Sequence, residues 1–400
     1  MPLDFSRRLA WDRGENALAA AERARRARGE EVLDLTVSNP TGVGLPDRGP
    51  QVREALAASA VGAYGPDPAG LASARAAIAA ELAAAGAPVA PERLLLTASS
   101  SESYAFLFKL LCDPGDAVLV PEPSYPLFEY LARLEGVAPV PYRLAYDGAW
   151  HVDVASVDDA LARAPGRPRA LVLVNPNNPT GSFLKRFELP ALAERCEAHG
   201  LAAISDEVFA PYPAGEDRER VGALAAEAAF TDRVLTFALG GLSKSCGLPQ
   251  LKLGWIVVGG AEAGRTLAAL ELVADTYLSV GTPVQAALGE LLRLGAGIRG
   301  AIAARVAENR ARLAAALPAG SPCSIVPAEA GWSAIVRLPA TRTDEAWAAA
   351  LVAEAGVLVH PGYLFDFGPG SYVVVSLLPP GDRFAAAARR LFALVGTSAT

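Results

Sequence analysis

The sequence is poor in the side chains that build metal centres and disulfide frameworks. It contains four cysteines, three histidines and one methionine in 400 residues, and no two of the cysteines form a CxxC pair. A structural zinc site, a histidine-rich metal centre and a disulfide scaffold are therefore not expected. The cysteine usage fits a reducing compartment, and we predict no bound metal.

Long apolar runs and an excess of positive charge are also missing. No uncharged apolar run of about 18 residues occurs, as a membrane span would need, and residues 1–13 lack the apolar core of a signal peptide. The net charge of −7 disfavours nucleic acid or an anionic membrane as the main partner. These absences predict a cytoplasmic protein whose partners include neither nucleic acid nor a membrane.

Lysine is scarce in this sequence, although cationic residues as a whole are not. Of 36 cationic residues, all are arginine except Lys109, Lys185, Lys244 and Lys252. The last two lie in GGLSKSCGLPQLKLGW (240–255), a segment rich in small residues. In a chain that uses arginine by default, this placement indicates a task that requires the amine of lysine.

Short apolar runs alternate with helical segments through the middle of the chain. The runs are 93–96, 117–120, 170–174, 201–205, 233–237 and 254–258. Apolar runs of this kind, separated by helices, are typical of a mostly parallel sheet that is covered on both faces. We therefore predict a large, doubly wound α/β domain over residues 47–285. Helices are expected at 11–28, 51–60 and 70–86.

The last part of the chain has a different pattern. Long helices are predicted at 285–317, 343–356 and 382–395, with short strands at 332–338, 356–360 and 371–377. This pattern predicts a smaller α+β domain formed by the two chain ends, residues 1–46 plus 286–400. A chain of 400 residues is long enough for two domains.

Polar residues follow the apolar runs at the points where ligands bind in doubly wound sheets. Ser99, Ser100 and Ser101 follow the first run, and Glu102 has the spacing of a capping box, so a helix N-terminus able to bind an anion is expected there. The next four runs are followed by Tyr125, Asn178, Asp206 and Lys244. Taken alone, each of these residues is compatible with an ordinary structural role, as a helix cap, a packing side chain, part of a turn or a surface residue. Together, at one sheet edge, they predict a ligand crevice.

These side chains suit a phosphorylated aromatic aldehyde. The amine of Lys244 can form an imine with the aldehyde, which arginine cannot do. The carboxylate of Asp206 could keep a ring nitrogen protonated, so that the ring acts as an electron sink. A tyrosine could stack on the ring, an amide could bind its hydroxyl, and a helix N-terminus could bind the phosphate.

Three motifs occur in an order typical of one family. NPNNPTG (175–181), SDEVF (205–209) and SKSCGLPQLKLGW (243–255) resemble those of class I/II pyridoxal-phosphate-dependent aminotransferases of the aspartate aminotransferase fold type I. YGPDPAGL (64–71) and HPGYLF (360–365) extend the resemblance over nearly the whole chain. The resemblance implies pyridoxal 5′-phosphate as cofactor.

The resemblance also implies a role for each candidate residue. Lys244 would be the Schiff-base lysine and the proton shuttle, Asp206 the partner of the pyridinium nitrogen, and Tyr125 the stacking ring. The amide of Asn178 would bind the ring 3-hydroxyl. The residues implied around the phosphate are Ser99, Ser100, Ser101, Ser243, Lys252 and, from the other subunit, Tyr64. That last match implies a homodimer with shared active sites.

Three positions near the implied cofactor depart from the family pattern. Phe209 stands where a tyrosine usually binds the ring 3-hydroxyl, and Gly241 replaces a common phosphate-binding serine. Lys252 replaces the usual phosphate-binding arginine, which preserves the charge but not the planar fork.

A fourth departure concerns the substrate. The arginine that clamps the substrate carboxylate in this family would fall near Val374, and no arginine is there. Arg337 and Arg383 are substitutes by chain position.

The implied activity is transfer of an amino group between an amino acid and a 2-oxo acid. The missing arginine and Phe209 keep open a lyase, a decarboxylase or a cyclase that uses the same cofactor and fold. A ligand-sensing regulator of transcription is disfavoured by the acidic charge.

Overall fold

The computed structural model describes residues 4–11, 14–59, 62 and 64–398. The strands are β1 (Leu33–Asp34), β2 (Leu94–Thr97), β3 (Ala117–Glu122), β4 (Ala138–Tyr146), β5 (Trp150–Val152), β6 (Pro168–Val174), β7 (Ala202–Asp206), β8 (Thr236–Gly241), β9 (Gly254–Gly259), β10 (Ser324–Val326), β11 (Ser333–Leu338), β12 (Val357–Leu358), β13 (His360–Pro361) and β14 (Ser371–Ser376).

The helices are α1 (Ala17–Ala27), α2 (Gly49–Ala57), α3 (Ala72–Ala84), α4 (Ser100–Leu111), α5 (Leu127–Glu135), α6 (Val154–Arg163), α7 (Leu189–His199), α8 (Ala228–Thr231), α9 (Leu242–Ser245), α10 (Ala263–Tyr277), α11 (Thr282–Ala286), α12 (Leu288–Ala316), α13 (Asp344–Ala350) and α14 (Gly381–Ser398). The helices predicted at 11–28 and 51–60 include positions 12, 13 and 60, which lie outside the described residues.

An eight-stranded sheet forms the centre of the large α/β unit, with the strand order β2-β9-β8-β7-β6-β3-β4-β5. Only β9 and β5 run against the other six strands. Alternate side chains of β6 lie in different hydrophobic clusters, one on each face of the sheet. Val172 packs with α4, α5 and α10, whereas Leu171 and Leu173 pack with α6 and α7. The sheet is thus covered on both faces. Each of the six predicted runs overlaps a strand, although β8 begins at Thr236, three residues after the start of the run predicted at 233–237.

Strands β4 and β5 were not predicted. Pro139 and Pro141 lie within β4, and proline within a run argues against a strand because it cannot donate to a ladder. Here the strand pairs with β3 and extends the sheet nevertheless.

A smaller antiparallel sheet, in the order β10-β11-β14-β13, lies in the C-terminal part of the chain. The N-terminal strand β1 pairs with β12 in parallel, so both chain ends contribute to this region. The strand predicted at 356–360 is split into β12 and β13, which belong to different sheets. The domain boundaries at residues 47 and 285 stay a prediction.

In the part of the chain that the structure describes, no helix combines the length and apolar character needed to cross a membrane. The same residues contain no group of three or more histidine, cysteine or acidic side chains that could hold a metal ion.

Candidate active site

Five of the predicted residues lie at one edge of the large sheet. Strands β2, β3, β6, β7 and β8 run in the same direction. Their carboxyl ends lead to, or contain, Ser99, Tyr125, Asn178, Asp206 and Lys244. The edge is therefore the candidate site, as expected for an open α/β sheet.

Asp206 ends β7 with a partly buried carboxylate. Tyr104 Oη donates a hydrogen bond to Oδ2 at 3.2 Å, and the Val208 N–H donates to Oδ1 at 3.2 Å. Burial raises the pKa of the Asp206 carboxyl to about 6, although both hydrogen bonds and the charge of Lys244 lower it. A positively charged ligand group beside Asp206 would favour its ionised form.

Lys244 lies in α9, the short turn that follows β8. Burial lowers the pKa of its amine, and the Asp206 carboxylate acts in the opposite direction. The Nζ atom is 4.9 Å from the ring centroid of Trp332 and 5.6 Å from that of Phe209. Tyr212 Oη donates to the Lys244 carbonyl oxygen at 2.6 Å. The amine therefore has a carboxylate and two aromatic rings around it.

The two glycines before this turn let β8 and β9 approach closely. A Cβ atom at Gly240 would lie 2.4 Å from the Trp255 ring, and one at Gly241 would lie 3.2 Å from Gly254 Cα. The close approach explains Gly241 where the family usually has serine.

The three asparagines of NPNNPTG have different surroundings. Asn175 donates to Val221 O at 2.8 Å and accepts from the Leu184 N–H at 2.9 Å. Asn177 is likewise buried and hydrogen-bonded. The side chain of Asn178 is only half-buried and forms no hydrogen bond with any described residue. Asn178 is thus the asparagine whose amide is available to a ligand.

Ser99 is the N-cap of α4, as predicted, and its Oγ accepts from the Glu102 N–H at 3.2 Å. The other half of the predicted capping box is wrong, because the Glu102 carboxylate accepts from the Ala98 N–H and from Ser279 Oγ, each at 2.6 Å. Ser100 and Ser101 are half-buried in the first turn of the helix, where backbone N–H groups lack intrahelical partners.

Lys252 is exposed, with a left-handed backbone (φ 53°) and no ion pair to any described residue. Two residues later, Gly254 packs against the backbone of Ser99, since a Cβ atom there would lie 3.1 Å from the Ser99 carbonyl carbon. Two residues span roughly 7 Å, so Lys252 lies close to the start of α4. Ser243 is half-buried next to Lys244.

Neither of the two predicted tyrosines forms a hydrogen bond or a cation–π contact with Lys244 in the part of the chain that the structure describes. Tyr125 is 47% exposed, on a loop held by a hydrogen bond from the Ser124 N–H to Phe365 O. Tyr64 is 77% exposed and lines a surface cavity with Ser279.

Tyr104, Tyr212 and Trp332 contact the site but were not predicted. They reach it from α4, from the loop after β7 and from the segment before β11. No motif identified them, because each acts through a contact between segments far apart in the sequence.

Val374, where the family has its carboxylate-binding arginine, lies in a buried apolar cluster with Val326, Ile335 and Phe365. The two predicted substitutes for this arginine have other partners in the structure. Arg337 is exposed and pairs with Tyr372 towards the far end of β11. Arg383 Nη2 donates to Val32 O at 3.5 Å. Neither arginine forms a hydrogen bond or an ion pair with Lys244 or Asp206 among the described residues.

Known aminotransferases resemble the chain over much of its length. The alanine aminotransferase of Mycobacterium tuberculosis is 27% identical over 266 residues, which cover 66% of this chain and 60% of that protein. The glutamate-pyruvate aminotransferase AlaA of Escherichia coli is 29% identical over 265 residues, covering 65% and 63%. The chain thus matches less than two thirds of the length of either relative.

The solved alanine aminotransferase of Pyrococcus furiosus superposes with a TM-score of 0.82 at 23% identity, over 98% of this chain and 99% of that chain. At this identity the likeness shows the fold alone, and the predicted fold class is confirmed. The sequence pattern of aminotransferase class I and II, a pyridoxal-phosphate-dependent family, matches residues 30–377. The chain therefore belongs to the class I and II aminotransferase family, as its motifs predicted.

Proposed function

We propose that this protein is a pyridoxal-phosphate-dependent aminotransferase that transfers an amino group between an amino acid and a 2-oxo acid. The observation that carries the proposal is the half-buried amine of Lys244, which lies beside Asp206 at the carboxyl edge of the sheet. The relatives are alanine and glutamate-pyruvate aminotransferases by name. Alanine, glutamate and pyruvate are therefore the first substrates to test.

The residues at this edge suit the cofactor. Lys244 offers an amine, Asp206 a carboxylate for a cationic ring nitrogen, and Asn178 an amide without a hydrogen-bond partner among the described residues. Two half-buried serines begin α4, and Lys252 adds a nearby charge. When bound, the cofactor supplies an aldehyde that takes up amino groups and a ring that accepts electrons.

The side chains of this protein would perform three tasks around that group. Asp206, which accepts a hydrogen bond from Tyr104, would hold the positive charge of a ring nitrogen in place. Lys244, whose amine pKa is lowered by burial, can accept a proton from the substrate Cα and return it. Phe209 and Trp332 exclude water from part of the space around the amine.

We also propose a cytoplasmic homodimer with shared active sites. Tyr64 is largely exposed and has no contact with Lys244 within the described chain. A second copy could bring its own Tyr64 to the cofactor phosphate. Sedimentation of the purified protein would test this assembly, and a monomer that binds the cofactor with full affinity would contradict it.

The decisive experiment uses the visible spectrum of the purified protein after addition of pyridoxal phosphate. We expect an absorbance band that borohydride bleaches, with the cofactor then fixed to Lys244 in the peptide mass spectrum. Lys244→Ala should lack the band, whereas the matched lysine variant Lys109→Ala should keep it. A wild-type protein without the band would overturn the cofactor assignment.

Half-reactions then separate transamination from other chemistry of the same fold. Mixing the coloured protein with alanine or glutamate should convert the cofactor to its amine form and release the 2-oxo acid. Release of ammonia, carbon dioxide or a thiol without that conversion would instead favour a lyase or decarboxylase. The apolar surroundings of Val374 motivate this comparison.

A further inference from the structure

A network of ion pairs around the buried amine of Lys185 joins the chain just after NPNNPTG to the segment 328–332. Lys185, one of only four lysines, is 7% exposed. Its Nζ donates to Asp217 Oδ2 at 2.8 Å and to Glu329 Oε2 at 2.7 Å. Arg220 Nε lies 3.8 and 3.9 Å from the same two oxygens. Two carboxylates and two cations thus compensate one another around the buried amine, with Asp217 exposed to solvent and Glu329 partly buried.

The backbone of the segment 328–332 is fixed to the same part of the large unit. The Phe183 N–H donates to Glu329 Oε2 at 3.1 Å, and the Ala214 N–H donates to Glu329 O at 2.7 Å. The Gly331 N–H donates to Tyr212 O at 3.0 Å. These bonds leave the segment little freedom while the carboxylate of Glu329 stays in place.

Trp332 follows this segment directly and is 3% exposed. Its ring packs edge-to-face on Phe209, with centroids 5.1 Å apart, and lies 5.4 Å from the Tyr212 ring. The amine of Lys244 is 4.9 Å from its centroid. An aromatic face at that distance attracts an ammonium group and excludes water.

We propose that Lys185 is a positioning residue of the active site, which acts through Glu329 to hold Trp332 against the amine of Lys244. The inference rests on the proposed function only in taking Lys244 as the reacting amine. Removal of Lys185 takes the nearest cation away from Glu329 Oε2 and leaves that oxygen with the Phe183 N–H and with Arg220 at 3.9 Å, so the side chain that anchors the segment is held less firmly.

The expected effect on Lys244 follows from its surroundings. The charged group that acts on the amine is the Asp206 carboxylate, and Tyr212 Oη binds the lysine carbonyl oxygen. Neither side chain belongs to the segment 328–332. Displacement of Trp332 would leave the Asp206 carboxylate in place and admit water, which raises the pKa of the amine towards its ordinary value because burial is the main cause of its lowering.

The test is acetylation of Lys244 as a function of pH, measured by peptide mass spectrometry on the full chain freed of carbonyl ligands with hydroxylamine. In Lys185→Met the midpoint should rise by about 0.5–1 pH unit. Glu329→Gln, which keeps the side-chain shape, should shift it in the same direction but less. Lys109→Met, which removes a lysine from an ion pair with Glu135 away from the site, is the matched control and should not shift it.

A double-mutant cycle tests whether the effect passes through Trp332. In a Trp332→Leu background, Lys185→Met should cause no further shift. A full shift in that background overturns the proposal, as does an unchanged midpoint in a folded Lys185→Met protein. If Lys185→Met does not fold, the midpoints of Glu329→Gln in the wild-type and Trp332→Leu backgrounds are compared instead, and the same outcomes support or overturn the proposal. The amine is read without the cofactor, so loss of the visible band would refute the proposed function and not this inference.

Discussion

Tyr104 Oη donates a hydrogen bond to Asp206 Oδ2 at 3.2 Å, which links α4 to the end of β7. The tyrosine is buried, so water does not compete for the bond. A donor to a carboxylate favours its ionised form. Tyr104 therefore keeps Asp206 charged and oriented in a place where burial opposes that charge.

Substitution Tyr104→Phe should raise the pKa of Asp206 above its value of about 6. It should also weaken binding of pyridoxal phosphate about tenfold, because a hydrogen bond to a charged group contributes about 1.5 kcal/mol or more. Titration of the visible band measures the affinity. Tyr142→Phe is the matched control, since this buried tyrosine donates to Val172 O and should not affect the cofactor. Equal losses in both variants would contradict a specific role for Tyr104.

Asp206→Asn should stabilise the cofactor-free protein at neutral pH while impairing cofactor binding. The folded pKa of about 6 is above the ordinary 3.8. As the pH rises from 3.8 to 6, the unfolded chain loses this proton first, so the free energy of unfolding falls and then stays lower. The asparagine avoids this loss, about 3 kcal/mol. Urea unfolding below pH 3.8 and above pH 6 should show the gain only in the second condition. An Asp206→Asn protein that is less stable than the wild type at both pH values would show that the carboxylate supports the fold.

The positions of Ser99, Asn178, Asp206 and Lys244 could be predicted because parallel strands expose their carboxyl ends at one edge. The apolar runs predicted the strands, and the order of the chain then showed which residues follow the end of each strand. The contact of Tyr104 with Asp206 could not be predicted, because 102 residues separate the two and only the crossing of α4 over the sheet brings them together.

The small unit was harder to predict in detail. The segment 356–360 has one continuous apolar pattern, yet its two halves pair with β1 and β14 in different sheets. Pairing partners far away in the sequence decide this split. For the same reason chain position pointed to Arg337 and Arg383, although neither forms a hydrogen bond or an ion pair with Lys244 or Asp206 in the described residues.

Lys252→Ala should weaken cofactor affinity several-fold and reduce the dependence of affinity on salt. Lys252 is exposed near the N-terminus of α4, where its charge would add to that of the free N–H groups. Lys252→Arg should bind as tightly as the wild type, because only the charge is needed, whereas Lys244→Arg should lose the visible band. Unchanged affinity in Lys252→Ala across a range of salt concentrations would remove Lys252 from the phosphate site.

Asn178→Ala and Asn175→Ala should separate function from structure within NPNNPTG. The amide of Asn178 has no hydrogen-bond partner among the described residues, so its loss should change the free energy of unfolding by less than about 0.5 kcal/mol. Cofactor affinity should nevertheless fall, because the amide is offered to the ring hydroxyl. Asn175→Ala leaves Val221 O and the Leu184 N–H without partners, which should destabilise the fold by about 2 kcal/mol or more.

Urea unfolding without cofactor and titration of the visible band measure the two effects separately. If Asn178→Ala instead destabilises the fold as much as Asn175→Ala and binds the cofactor normally, Asn178 is a structural residue of the turn. The ring hydroxyl would then need another partner. Phe209 cannot be that partner, because its side chain has no hydrogen-bonding atom.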